Sequence, residues 1–183
     1  MRITPLAIDG LLLIEPRVHA DGRGAFAETF RLDLFEAAAG PVRFVQENQS
    51  RSPRRGTVRG LHCQRAPRGQ AKLVRVARGA VLDVAVDARP GSPTFGRHVA
   101  VELSADNWRQ LYVPDGFLHG YCTLVDDVEL LYKASDYYSP ADERAVFWRD
   151  PDLAIDWPVA VGEATVSAKD LAAGSFRDFA ASP

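Results

Sequence analysis

Apolar and polar residues alternate in short runs along most of this chain, and glycines and prolines separate the runs at close intervals. Such runs fit strands, whose side chains point to opposite faces in turn. The pattern predicts strands over 11–15, 25–30, 43–49, 57–64, 72–78, 81–87, 98–103, 118–124 and 128–134. One stretch departs from it: Leu32, Phe35 and Glu36 take helical spacing and predict a short helix over 32–39. No repeat, low-complexity tract or linker breaks the pattern. The expected architecture is one all-β domain over 1–183, a barrel or sandwich with one short N-terminal helix.

Parity along each strand then sorts the side chains. Val128, Leu130 and Tyr132 share a face, while Glu129 and Lys133 take the other, so Tyr132 is expected to point inward. Lys72 falls with Val74 and Val76 on an apolar face, an odd place for a lysine without a partner or a ligand. Gln46 and Asn48 fall with Phe44, His119 with Tyr121, and His62 with Val58 and Gln64. If these faces line one interior, it holds histidines, tyrosine, lysine and amides, which suits a ligand cavity better than a purely structural core. Arg59 lies three residues before His62, on the opposite face of a regular strand. Both enter one cavity only if the strand bulges, and Gly60 is the place for it.

Composition narrows the function classes. The 183 residues are 46% hydrophobic with a net charge of −2, which gives no overall pull toward nucleic acid or a membrane. The start, Met1-Arg2-Ile3-Thr4-Pro5, carries no long apolar run, and two cysteines are too few for a disulfide framework, so a reducing cytoplasmic setting is expected. Charge is uneven, however. Between Ser50 and Leu73 stand Arg51, Arg54, Arg55, Arg59, Arg65, Arg68 and Lys72 without one acid, which reads either as a solvated basic loop or as an anion site for phosphates. No aromatics interleave them, so a single-stranded nucleic-acid platform is not expected.

Two spacings bear on metal chemistry. Pro114-Asp115-Gly116-Phe117-Leu118-His119 has the PxGxxH spacing of the second cupin motif, and Gly56 to His62 opens like the first. Metal-binding cupins continue with a second histidine and a glutamate; here Gln64 takes the histidine position, and Arg68 and Gly69 stand where the glutamate belongs. An amide is a poor metal ligand and nearby cations repel a metal ion. Cys63 and Cys122 are expected to point away from the histidines as small buried hydrophobes. The pattern is that of a cupin jelly roll, a double-stranded β-helix, without a metal.

The chain resembles the dTDP-4-dehydrorhamnose 3,5-epimerases, also called dTDP-4-keto-6-deoxyglucose 3,5-epimerases, over residues 5–170. The resemblance is carried by Asp21-Gly22-Arg23-Gly24 with Phe26 and Glu28, by Phe44-Val45-Gln46-Glu47-Asn48-Gln49-Ser50 and by Arg59-Gly60-Leu61-His62. Further matches are Lys72-Leu73-Val74, Asp83-Val84-Ala85-Val86-Asp87, Ser92-Pro93-Thr94-Phe95-Gly96, Pro114 to Gly120, Tyr132-Lys133 and Ser167-Ala168-Lys169-Asp170. The family usually has an aromatic or aliphatic residue where this chain has Cys63.

The resemblance implies epimerisation at C3 and C5 of a dTDP-linked 4-keto-6-deoxyhexose, in rhamnose-type deoxysugar biosynthesis, with no metal and no redox cofactor. It implies His62 as general base, Asp170 as its carboxylate partner, Tyr132 as general acid and Lys72 as the cation beside the C4 oxygen. Arg59 matches a diphosphate contact and Tyr138 the aromatic that stacks on thymine. Gln46, Glu47 and Asn48 match a nucleotide-side segment, and His119, Glu143 and Lys169 match further substrate contacts. Arg23 and Glu28 match nucleotide contacts that come partly from a neighbouring subunit, which implies a homodimer. Three alternatives stand beside this reading: inversion at C3 or C5 alone, a metal-dependent cupin oxygenase, and a non-catalytic module that binds sugar nucleotides.

Overall fold

The computed structural model describes residues 1–182. Thirteen strands and three helices follow one another as β1 (Arg2–Pro5), β2 (Leu12–Glu15), β3 (Val18–Asp21), β4 (Gly24–Ala27), α1 (Leu32–Ala39), β5 (Gln46–Ser52), β6 (Val58–Gln64), β7 (Lys72–Arg78), β8 (Ala80–Asp87), β9 (His98–Ser104), β10 (Gln110–Val113), β11 (Phe117–Thr123), β12 (Val128–Ala134), β13 (Glu143–Ala145), α2 (Ala168–Leu171) and α3 (Phe176–Ala181). Two antiparallel sheets carry the fold, ordered β1-β2-β10-β7-β12-β5 and β13-β6-β11-β8-β9, with β3 and β4 pairing apart as a hairpin. This is a cupin-type jelly roll, in which two sheets face each other and close over a shared interior.

Strand parity builds the layers. In β7, Val74 and Val76 turn inward to meet Val81 and Ala85 of β8, Tyr121 of β11 and Leu130 of β12. Leu73, one residue out of phase, turns outward and packs under α1, where Phe35 meets Leu12, Ile14 and Tyr112. The outward face of the five-stranded sheet, including Val84, Leu118 and Cys122, is covered by the C-terminal segment through Trp148, Trp157, Phe176 and Phe179. Each fully buried aliphatic or aromatic side chain contributes about 1.5–3 kcal/mol, so all three layers are held by apolar burial. The inter-sheet layer is apolar at one end and opens at the other into the candidate site.

Most elements fall where periodicity puts them, but not all. Two short C-terminal helices, α2 and α3, add to the single helix expected. Each is set by a serine cap, Ser167 accepting from the Asp170 N–H and Ser175 from the Asp178 N–H. Strands β1, β3, β10 and β13 were not expected. They run only three or four residues, and β3 is exposed throughout, so no alternation marks it. Among the described residues, no helix is long and apolar enough to cross a membrane.

Candidate active site

A cavity of about 640 Å³ opens between the two sheets, lined by Arg59, His62, Lys72, His119, Tyr121, Tyr132 and Asp170 among others. His62 and Arg59 reach it together because β6 bulges. His119 pairs with His62 and Tyr121 with Arg59, so Gly60 and Leu61 together oppose the single residue Gly120. Gly60 has φ of 128°, and a Cβ there would lie 2.6 Å from the Cα of Gly120, so only glycine allows the approach. The bulge also corrects one expectation. It takes Val58 off the face of His62 and packs it with Leu61 and Cys63 on the outer side.

His62 is held by the C-terminal segment. Its Nε2 lies 2.7 Å from Asp170 Oδ1 and the Gly60 N–H donates to Oδ2 at 3.4 Å, so the ring nitrogen left free is Nδ1. Burial opposes the charge on Asp170, but His62, the Gly60 N–H and Ser167 outweigh it and hold the carboxyl below its usual range. Directly across the strand pair stands a second couple, His119 Nε2 to Asp83 Oδ1 at 2.9 Å. The first histidine keeps 28% of its side chain exposed over a carboxylate at 5%; the second keeps 8% over a carboxylate at 0%.

The opposite wall belongs to the six-stranded sheet. Tyr132 points inward from β12, and burial, with Tyr121 and Glu143 nearby, pushes its hydroxyl above the usual tyrosine range. Lys72 on β7 sits with its ammonium 5.9 Å from the Tyr132 ring centroid. Burial pulls its pKa below the usual lysine range. Arg59 lines the cavity and donates to the Arg51 carbonyl at 3.3 Å.

A hydrogen-bonded chain forms the rim. Gln46 donates to Asn48 Oδ1 and accepts the Tyr138 N–H, while the Tyr138 hydroxyl and Lys169 both bond Glu143 Oε2. Of these, Asn48 and Lys169 line the cavity itself, and Gln46, Tyr138 and Glu143 join it only through those bonds. Three expected residues are not brought to this cavity within one chain. Glu28 and Glu47 line a separate shallow depression beside Lys133 on the outer side of the sheet. Arg23 sits at the tip of the β3–β4 hairpin, bonded to Asp21, with 91% of its side chain exposed.

Sequence reasoning assigned no role to Asp83 or to the Tyr121–Ser50 pair, whose hydroxyls lie 2.8 Å apart. The signals were present: Asp83 stands between apolar residues in mid-strand, and Tyr121 shares the face of His119. The two cysteines lie outside the cavity wall as expected, Cys63 and Cys122 both buried in the outer core, each thiol pushed up to about 11 by burial.

The donor set bears on metal binding. Gln64 is spent on structure, donating to the carbonyls of Arg68 and Tyr137 and accepting the Ser139 N–H. Among the described residues, no group of three or more His, Cys, Asp or Glu side chains converges as metal ligands would.

Comparison with known proteins agrees with this geometry. A family model described as dTDP-4-dehydrorhamnose 3,5-epimerase matches residues 5–178. The dTDP-4-dehydrorhamnose 3,5-epimerase of Pseudomonas aeruginosa is 49% identical over 179 residues, covering 97% of each chain. The crystal structure of that enzyme from Elizabethkingia anophelis superposes with a TM-score of 0.93 at 41% identity, covering 97% of both chains. A Legionella pneumophila dTDP-6-deoxy-D-glucose-3,5-epimerase in complex with dTDP-4-keto-L-rhamnose superposes with a TM-score of 0.91 at 46% identity, covering 96% of this chain and 93% of that one. Fold, cavity and relatives define the class as an isomerase acting on sugar nucleotides. Within that class, the chain belongs to the dTDP-4-dehydrorhamnose 3,5-epimerase family.

Proposed function

We propose that the cavity inverts C3 and C5 of a dTDP-linked 4-keto-6-deoxyhexose by proton transfer between two side chains on opposite walls. The observation that carries this reading is the origin of those side chains. His62 comes from the five-stranded sheet and Tyr132 from the six-stranded sheet, so a sugar between them offers one face to each.

The C4 ketone acidifies the neighbouring C–H bonds. His62 Nδ1 takes the proton, and the C–H electron pair moves through the new C=C bond to the C4 oxygen, which becomes an enolate oxygen. Asp170, held charged by its hydrogen bonds, orients the ring and balances the imidazolium. Lys72 supplies the positive charge beside the enolate. Tyr132, kept protonated by burial, returns a proton to the opposite face. The tyrosinate and the imidazolium then exchange protons with water before the second carbon is inverted. The chemistry asks for no electron transfer, and Lys72 stands where a Lewis acid would otherwise serve, so the reading needs neither metal nor redox cofactor.

Binding follows the charge pattern. Arg59 faces the diphosphate, Tyr138 at the rim stacks on thymine, and Gln46, Asn48, His119, Glu143 and Lys169 complete the substrate wall. Arg23, Glu28 and Glu47 serve the nucleotide in a homodimer. The exposed hairpin with Phe26 at 71% exposure, and the distance of Arg23 from its own cavity, favour delivery to a partner's site. Two free buried cysteines fit a cytoplasmic setting.

The test is incubation with dTDP-4-keto-6-deoxyglucose in D₂O, followed by NMR. Deuterium is expected at both C3 and C5 with inversion at each. Exchange at C3 alone would restrict the activity to one carbon, and no exchange at either would overturn the reading.

A further inference from the structure

Asp83 is a fully buried carboxylate bonded to His119, which lines the cavity. It stands in β8 in phase with Val81 and Ala85, on the face turned toward the opposite sheet. Oδ1 accepts from His119 Nε2, but Oδ2 has no hydrogen-bond partner among the described residues. A buried anion with a single bond is costly unless a positive charge balances it.

Lys72 has the complementary deficit. It is half-buried on β7 and, among the described residues, makes no ion pair or hydrogen bond through its ammonium. The other carboxylates near it are committed, Asp170 to His62 and Gly60, and Glu143 to Lys169 and Tyr138. The remaining titratable groups around the lysine are His62 on β6, His119 and Tyr121 on β11, and Tyr132 on β12, with the Arg59 guanidinium on the same wall and the Cys63 thiol in the outer core behind β6. Burial keeps Cys63, Tyr121 and Tyr132 neutral at working pH. The free oxygen of Asp83 is thus the uncommitted negative charge of this interior.

We propose that Asp83 is a positioning residue that never meets substrate: it fixes His119 through Nε2 and supplies the counter-charge that keeps an ammonium at Lys72. This rests on the reading of Lys72 as the cation beside the enolate. Burial pulls the lysine down, and Cys63, Asp83 and Glu143 push it back up; with the thiol held neutral by burial, the two carboxylates carry that effect. Removal of the Asp83 charge therefore lets the ammonium deprotonate sooner. Activity that depends on it must then fail at lower pH.

The test compares Asp83→Asn, Lys72→Met and the double variant. The amide keeps an oxygen for His119. Asp83→Asn is expected to lower kcat on the alkaline side by about 10-fold for each pKa unit that Lys72 loses. It should move the alkaline limb of kcat to lower pH while leaving dTDP affinity unchanged. On the Lys72→Met background Asp83→Asn should cost much less than it does alone, because the counter-charge then has no ammonium to act on and the amide still holds His119. Asp83→Glu, which keeps the charge, should keep the wild-type limb. An additive loss in the double variant, or a lowered Tm with kcat and limb unchanged, overturns this inference alone. So does a limb displaced equally in Asp83→Glu. Full activity of Lys72→Met overturns the reading of Lys72, and this inference with it.

Discussion

Two histidine–carboxylate pairs stand side by side on β6 and β11, built from the same groups at nearly the same spacing, 2.7 Å and 2.9 Å. Their surroundings differ. The His62–Asp170 pair is partly open and its carboxylate arrives on a one-turn helix from the far end of the chain. The His119–Asp83 pair is sealed, and its carboxylate belongs to β8, the strand next to β11 in the same sheet. A proton must enter and leave a base at each turnover, so the open pair suits acid–base work. The closed pair suits a fixed donor whose charge balances the interior. Identical side chains take different tasks because burial and access differ, not because their chemistry does.

Replacing each histidine in turn is the strongest way to break this comparison. His62→Ala should cost at least about 10²–10⁴-fold in the rate of proton removal, the usual share of a general base. His119→Gln should leave deuterium uptake measurable at both carbons. Equal losses would erase the distinction. The next effect is on pH dependence. Burial lowers Lys72 and raises Tyr132, so the ammonium is the group whose loss of its working form is moved toward neutral pH. The alkaline limb of kcat/KM is therefore assigned to Lys72. Lys72→Arg should move that limb to higher pH, because a guanidinium stays charged; an unmoved limb would assign it elsewhere. A smaller change is expected at the mouth. Arg59→Ala should raise KM by roughly the 1.5–3 kcal/mol of a hydrogen bond to a charged group, with kcat nearly held. A collapsed kcat with KM unchanged would move Arg59 into the chemical step. The smallest effect is none: exhaustive chelation should leave the rate unchanged, and a loss restored by added metal would contradict the account.

The long strands were legible because their periodicity is enforced by two buried faces. Lys72–Arg78 and Val128–Ala134 take their bounds directly from it. So was the need for a bulge, since parity set Arg59 and His62 against each other and Gly60 alone could resolve it. What parity could not supply was the other end of the chain. Asp170 sits on a four-residue helix too short to carry a pattern, and its place beside His62 depends on how the C-terminal segment packs over the outer core. Its role came from family resemblance, not from periodicity. Asp83 was missed for the opposite reason: a single acid within an apolar run reads as part of its strand until its partner across the ladder is seen.

The central claim is that one wall removes the proton and the other returns it. Deuterium wash-in by Tyr132→Phe, read against wild type and His62→Ala in the same D₂O incubation, tests it most directly. The account predicts that Tyr132→Phe still admits deuterium at C3 and C5 through His62, with the original configuration kept and inverted product scarce, while His62→Ala admits almost none. Normal inversion by Tyr132→Phe, or wild-type exchange by His62→Ala, would contradict it.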